Sequence, residues 1–311
     1  MKKKAVCPCC GASGGFSVQD KVKGYTLLHC PKCDLVFSDP MKNPGGEWYN
    51  EAYVIRHSAI DDRIRDYYKW TVSSLPVRGK LLDIGCGEGI FVNYTRKKGF
   101  DSFGIDFSEH ALNLGREMFG LNTVYNYSLD ELKKKEGTEP FDIITFFEVL
   151  EHLDRPKDFL EEIRPLLARK GYIAASVPNR LRWPVDEFND FPPHHLTRWS
   201  EKSLRFFLES SDFEVVKLRV GSGLGSCHSF LGYLLRILVY KAFGMYGKGM
   251  STECARGVGI LRKPITKRIL SKLKPRQIRD IVLWPFALLM YPFVRRRFNG
   301  YSLMVIARAK G

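Results

Sequence analysis

From Lys80 onward the chain alternates between short, continuously apolar runs and longer stretches whose apolar positions recur three and four apart. The runs are KLLDIG, DSFGID, NTVYNY, FDIITFF and GYIAASVP; the stretches are FVNYTRKKG, SEHALNLGREMFG and PKDFLEEIRPLLARKG. A continuous apolar run reads as a strand buried on both faces, and the amphipathic stretches read as helices that cover it. Such alternation predicts βαβ units around a mainly parallel sheet, an α/β fold. Gly99, Gly120 and Gly171 stand where helices should close on a left-handed residue. FEVVKLRVG predicts one more strand, with YSLMVIARAK at the end of the chain as its antiparallel partner. If those two pair, residues 221–299 leave the fold between neighbouring strands.

Ahead of this pattern, residues 1–40 hold two short strand-like pieces, GFSVQD and YTLLHC, between close pairs of cysteines. C-P-C-C-G and C-P-K-C give two C-x-x-C knuckles, Cys7/Cys10 and Cys30/Cys33, with nineteen residues between Cys10 and Cys30. This is zinc-ribbon spacing: four thiolates close a tetrahedral site, and a closed site is structural. Cys9 is left as a spectator. MKNPGGE, residues 41–47, reads as a linker, and the pattern from Trp48 to Leu75 is helical and charged.

LLDIGCGEGIF, residues 81–91, is a buried strand running into D-x-G-x-G-x-G and then a helix. Gly85, Gly87 and Gly89 permit a tight turn and let backbone amides approach a ligand at a helix start, where a negative group is favoured. Asp106, in GIDFS, follows Gly87 by 19 residues and ends the next strand, where an acid accepts from ribose hydroxyls. DIGCGEG, GIDFS and FDIITFFEVLEHL together resemble the class I S-adenosylmethionine-dependent methyltransferases, over roughly residues 78–220 and the final strand. The turn lacks the longer G-x-G-x-x-G spacing of nicotinamide enzymes. The resemblance implies a Rossmann-like seven-stranded sheet. It places Asp83, Gly85, Cys86 and Gly87 around the methionine portion of S-adenosylmethionine, Asp106 on the ribose and Phe107 beside the adenine. Ser128 and Leu129 would line the adenine pocket, and Phe147 and Glu148 would border the methionyl side. GEWYNEAYVIRH resembles the aromatic cover ahead of the turn; Tyr49 or Tyr53 either closes over the cofactor or packs as an ordinary core residue. The chain then divides into a zinc ribbon (1–45), a methyltransferase domain (46–220, completed by 300–311) and a helical insertion (221–299).

Two clusters are candidates for the methyl acceptor. FPPHHLTRWS puts His194 and His195 in the loop after the fifth strand, on the carboxyl-end rim where ligands bind, with Ser200 as a helix cap. A neutral imidazole there can remove a proton as methyl transfers; the other reading is a loop brace. Glu148, Glu151 and His152, in EVLEH, resemble an E-x-x-E-H of ubiquinone-pathway O-methyltransferases that is associated with a divalent ion, which would suit Mg2+. Alternatively they orient the cofactor and cap the helix that follows.

Composition bears mainly on the insertion. Hydrophobic content of 44% allows a sizeable core, and eight cysteines in 311 residues are too few for a disulfide scaffold. MKKKAVCPCC starts basic but has no apolar stretch after it, so a cytosolic location or a cytosolic membrane face is expected. Net charge is +15, and the segment from Gly221 to Gly300 carries fifteen Lys or Arg against Glu253 and Asp280, which is +13 of it. In DIVLWPFALLMYPFVRRRF, fourteen apolar or proline residues precede three arginines. As a helix that core is about 21 Å long, short of a bilayer's roughly 30 Å, and Pro285 and Pro292 interrupt it. An interfacial segment on an anionic membrane surface fits better, with Trp284 and Tyr291 as anchors; a buried subdomain or dimer interface is the other reading. The sequence thus predicts methyl transfer to oxygen or carbon of a lipid-linked or lipophilic acceptor: a glycolipid, a polyprenyl-linked sugar or a quinone. An RNA methyltransferase is the second reading, though long aliphatic runs among the cations argue against nucleic acid. A non-catalytic membrane scaffold is the third.

Overall fold

The structure is a computed structural model, and it describes residues 4–45, 64–135, 139–182, 190–222, 227–228, 230–232, 275–294 and 300–311. The apolar runs form the centre of a seven-stranded sheet. β4 (Lys80–Ile84), β5 (Asp101–Ile105), β6 (Val124–Tyr125), β7 (Phe141–Phe147) and β8 (Leu167–Pro178) run parallel. β10 (Phe213–Val220) and β11 (Ser302–Ala309) complete the order β10-β11-β8-β7-β4-β5-β6. β11 pairs antiparallel with β10, as the terminal YSLMVIARAK predicted, and is antiparallel to β8 on its other side, so the last strand lies between the two. Leu81, Leu82, Ile143, Ile144 and Phe146 are fully buried, as double-sided burial requires.

Local signals set the helices. Ser108 Oγ accepts from Ala111 N to cap α3 (Glu109–Phe119), after α1 (Asp66–Ser74) and α2 (Ile90–Arg96). Gly120 closes α3 in the left-handed region, and Gly99 takes the same conformation after α2. Gly171 does not close a helix. α4 (Leu129–Lys134) is followed by α5 (Pro156–Ile163), a 3-10 turn spans Arg164–Leu166, and the chain enters β8 at Leu167. Pro165 lacks the amide that would continue the helix, which is why it stops short of ARKG. α6 (Glu201–Glu209) starts at Ser200, which forms a reciprocal cap with Ser203.

The N-terminal residues form a second, antiparallel sheet of β1 (Ser17–Val22), β2 (Tyr25–His29) and β3 (Val36–Asp39). Its fourth strand is β9 (Thr197–Arg198), from the far side of the chain. Cys7, Cys30, Cys33, Leu35 and Phe37 join the same apolar cluster as Trp199, Phe207 and Val305, so the ribbon and the large sheet share a core.

Of the insertion, α7 (Pro275–Val294) is one helix with Pro285 and Pro292 inside it. The sequence expectation that these prolines interrupt the apolar stretch is therefore corrected: each removes one backbone bond, and the helix runs on. Leu283 and Ala287 are buried, and Tyr291 with Phe230 and Leu231 packs on the Cys227–Ala287 cluster. The His228 ring stacks on Trp284 at 4.5 Å. The other face leaves Phe286, Leu289 and Phe293 exposed by 57%, 69% and 85%. No helix among the described residues is long and apolar enough to cross a membrane. Tyr49, Tyr53 and most of the basic stretches lie outside the described residues.

Candidate functional site

The carboxyl ends of β4, β5, β7 and β8 meet on one rim. After β4 the chain turns through Gly85, Gly87 and Gly89, all at positive φ. Gly85 N and Cys86 N donate to Ile105 O at 2.8 and 3.1 Å, and Gly89 N donates to Cys86 O at 2.9 Å. Gly87 N donates to Asp106 Oδ2 at 2.9 Å, while Ser108 N donates to Asp106 Oδ1 at 2.8 Å. One carboxylate thus ties the glycine turn to the start of α3, and Asn126 Nδ2 holds its backbone carbonyl at 2.9 Å. Burial pushes the Asp106 carboxyl above its usual range, against the lowering effect of those amides. Asp83 is buried beneath the turn, accepts from Thr145 Oγ1 at 2.6 Å, and is pushed up to about 7 by desolvation and by the Asp106 charge. Phe107 is 55% exposed at the rim.

Beyond β7, Glu148 takes a positive φ of 56°, a strained position for a residue with a side chain. Its Oε1 accepts from Ser176 Oγ at 2.7 Å. Burial pushes its carboxyl up, and Ser176, His195 and Arg182 oppose the shift. Glu151 is fully buried, and neither of its side-chain oxygens has a hydrogen-bond partner. Desolvation and the neighbouring Glu148 charge hold Glu151 well above the carboxylate range. Around it stand three imidazoles, of His152, His194 and His195, with ring centroids 4.6–4.8 Å apart. His152 Nδ1 meets His194 O at 2.7 Å. Nε2 of His152 and Nε2 of His195 each lie 3.9 Å from Glu151 Oε1, too far for a hydrogen bond. Arg182 clamps Asp190 through two nitrogens, and Asp190 Oδ1 is 3.7 Å from His195 Nδ1.

In the ribbon, the sulfurs of Cys7, Cys10, Cys30 and Cys33 lie within 4.8 Å of one another, with Cys7–Cys33 and Cys10–Cys30 at 3.5 Å. Contact with Cys33, together with burial, pushes the Cys7 thiol far above its usual range, a strain that a cation among the sulfurs would relieve. Four convergent thiols fit structural zinc. Cys9 is outside the quartet, its Sγ 3.9 Å from Ser203 O.

A sequence model of a methyltransferase-domain family matches residues 55–218, more than half of the chain. This chain belongs to the class I S-adenosylmethionine-dependent methyltransferases. Curated relatives include the ubiquinone biosynthesis O-methyltransferase of Roseobacter denitrificans, 36% identical over 34% of this chain and 44% of that protein. That of Coxiella burnetii is 29% identical over 43% of this chain and 58% of that protein. The chain spans about half the length of the curated relatives it matches. Among solved structures, a SAM-dependent methyltransferase from Archaeoglobus fulgidus is similar at 17% identity and a TM-score of 0.45, covering 84% of this chain and 93% of that one. One from Mesorhizobium loti is similar at 15% and 0.45, over 78% and 97%. These two likenesses are too distant to bear on the site.

In this methyltransferase the sequence-predicted residues separate into those that face the crevice and those that build its floor. Asp106, Phe107, Gly85 and Gly87 meet at the rim. The amides of Gly85, Cys86 and Gly87, expected to face the ligand, are instead committed to Ile105 and Asp106. Cys86 directs its sulfur inward, packing with Val92 and Leu112 against Gly104. The Phe147 ring belongs to a cluster with Tyr67, Tyr68 and Phe91, which leaves its backbone to border the site. Ser128 caps α4 through Glu131, and Leu129 is its first residue. The oxygen-rich set expected for Mg2+ does not assemble: Glu148 is turned to Ser176, and His152 joins the other two histidines in a nitrogen-rich group that suits Mg2+ poorly. Sequence reasoning missed Asp34, Arg180, Arg182 and Asp190. Asn43, in the stretch read as a linker, donates through Nδ2 to His152 O at 2.9 Å. Only Asp34 carried a sequence signal: it follows its C-x-x-C where Gly11 follows the other.

Proposed function

We propose that this methyltransferase moves the methyl group of S-adenosylmethionine to a hydroxyl oxygen of a lipophilic acceptor, a ring-hydroxylated quinone precursor or a polyprenyl-linked or glycolipid molecule, presented at an anionic membrane surface. The observation that carries the reading is the cluster of His152, His194 and His195 on the rim that also bears the glycine turn and Asp106. An imidazole in that position accepts the hydroxyl proton as the oxygen attacks the methyl carbon; the sulfonium leaves as a neutral thioether. Phe107 and Asp106 hold the adenosine, and Glu148 borders the methionyl end.

The names of the curated relatives support an oxygen acceptor of quinone type. The exposed Phe286, Leu289 and Phe293 stripe supports a membrane face, together with the cations that flank it in sequence. The test is methyl transfer to an isoprenoid catechol carried in anionic vesicles. Replacing His194 and His195 together by alanine should abolish turnover and leave cofactor affinity unchanged. Full turnover in that variant, or transfer indifferent to vesicles, defeats the corresponding half of the proposal.

A further inference from the structure

The two knuckles of the ribbon are built alike. Gly11 N donates to Cys7 O at 3.0 Å and Asp34 N to Cys30 O at 2.8 Å; Cys7 N donates to Ala12 O and Cys30 N to Leu35 O, both at 2.8 Å. Gly11 and Asp34 therefore hold equivalent places, at φ 72° and 66°. Glycine adopts that conformation freely, whereas an aspartate is strained there. The second knuckle keeps a residue that its own turn does not favour.

The Asp34 carboxylate reaches out of the ribbon. Oδ1 meets His29 Nε2 at 2.9 Å and accepts from Arg180 Nη2 at 2.5 Å, and Oδ2 accepts from Ser200 Oγ at 2.5 Å. Arg180 is the second residue after β8, and Ser200 ends the segment that carries the paired histidines. Arg180 N also donates to Trp199 O at 2.8 Å, so Asp34 grips both strands of that loop where they come together. Two further bonds fix the loop from the ribbon side. Ser38 N donates to Leu196 O at 2.9 Å, and Leu196 N donates to Glu151 O at 2.7 Å. The residue after His195 is thus held between β3 and the buried glutamate.

We propose that the ribbon is an arm of the acceptor site, and that Asp34 is the positioning residue through which it sets the loop bearing His194 and His195. The inference rests on the acceptor-side role given to those histidines. Asp34 touches no substrate; it acts by fixing Arg180 and Ser200. Among the described residues no hydrogen bond or ion pair links the ribbon to Asp106 or the glycine turn, so cofactor binding stands apart from this linkage.

Asp34→Gly separates the two roles, because glycine suits the knuckle and removes only the carboxylate. The variant should hold its metal and bind S-adenosylmethionine within about threefold of wild type, since these contacts lie outside the cofactor crevice. Its kcat should fall by about 10- to 100-fold, the cost of a misplaced catalytic group, and the imidazole signals of His194 and His195 should move in the NMR spectrum. Asp34→Asn, which retains side-chain bonding and tolerates left-handed backbone, should lie between. Wild-type kcat with unmoved imidazole signals in Asp34→Gly overturns the inference. Retained turnover in the paired histidine variant instead overturns the acceptor-side reading, while the NMR comparison still decides whether Asp34 places the loop.

Discussion

Asp106→Ala should weaken binding of S-adenosylmethionine by orders of magnitude, and the structure sets the size. A carboxylate offers about four acceptor positions. Two are taken by Gly87 N and Ser108 N, leaving two for the ribose hydroxyls. Hydrogen bonds to a charged group contribute roughly 1.5–3 kcal/mol each, so the loss of two is roughly 3–6 kcal/mol, or roughly a factor of 10² to 10⁴ in Kd. The same change orphans two amides, so the unliganded protein should melt lower as well. Asp106→Asn keeps the shape but must aim its NH2 at one of the two amides, and should fall between. Calorimetric titration with S-adenosylmethionine and with its demethylated product gives the affinities, and circular dichroism checks that each variant is folded. Because burial raises the Asp106 carboxyl, its proton returns at higher pH than for an exposed aspartate. Affinity should therefore decline on acidification earlier than an ordinary carboxylate would dictate. A folded Asp106→Ala protein that binds within threefold of wild type would refute the assignment of Asp106 to the ribose.

Two other substitutions test the floor of the site. A Cβ on Gly115 of α3 would stand 2.4 Å from Glu88 O, a backbone atom of the glycine turn; Gly115→Ala should cost about 1–3 kcal/mol and weaken cofactor binding together with thermal stability, and a variant as stable as wild type shows that α3 can withdraw freely. For Asp83, the rise from its ordinary 3.8 to about 7 amounts to about 4 kcal/mol between protonation states. The raised folded value favours the protonated acid, so this contribution is complete below the ordinary value and is lost as pH climbs toward 7. Asp83→Asn keeps an acceptor for Thr145 and should remove that slope: its melting temperature should gain on wild type between about pH 4 and about pH 7, and parallel curves contradict it.

The geometry of the glycine turn and Asp106 was legible because its causes are local. A strand, three glycines and an acid after the next strand are all within one βαβ unit, and their spacing is visible in a string of letters. Even there, what the amides do was not legible: whether Gly87 N faces a ligand or Asp106 depends on a strand pairing in three dimensions. The terminal strand pair could be read from two apolar runs with nothing else to pair with. Helix ends were read correctly where capping chemistry decided them, at Gly120 and Ser200, and wrongly at Gly171, where Pro165 had already stopped the helix. The prolines of α7 show the converse, since a helix with enough remaining bonds tolerates them. The acceptor half was only partly legible. His194 and His195 advertise themselves as a pair, but their alignment with His152 and Glu151 depends on contacts among residues more than forty positions apart, and Asp34 meets Ser200 across 166.

The state of Glu151 ties these halves together chemically. An ionised carboxylate sealed from water with no hydrogen bond is costly, and the inexpensive alternative is to keep its proton. A neutral Glu151 at 3.9 Å from two imidazole nitrogens forms no ion pair with them. The donor side calls for the opposite. Asp106 sits among backbone amides that favour its charge, and an anion there is what ribose hydroxyls bind best. The same rim therefore gives hydrogen bonds to one acid and withholds them from the other. Glu151→Gln should then retain most of the turnover, because it preserves a neutral group of the same shape. Glu151→Ala opens a void beneath the histidines and should lose far more. Equal loss in both variants, measured as kcat with acceptor saturating, would mean that Glu151 works through its charge.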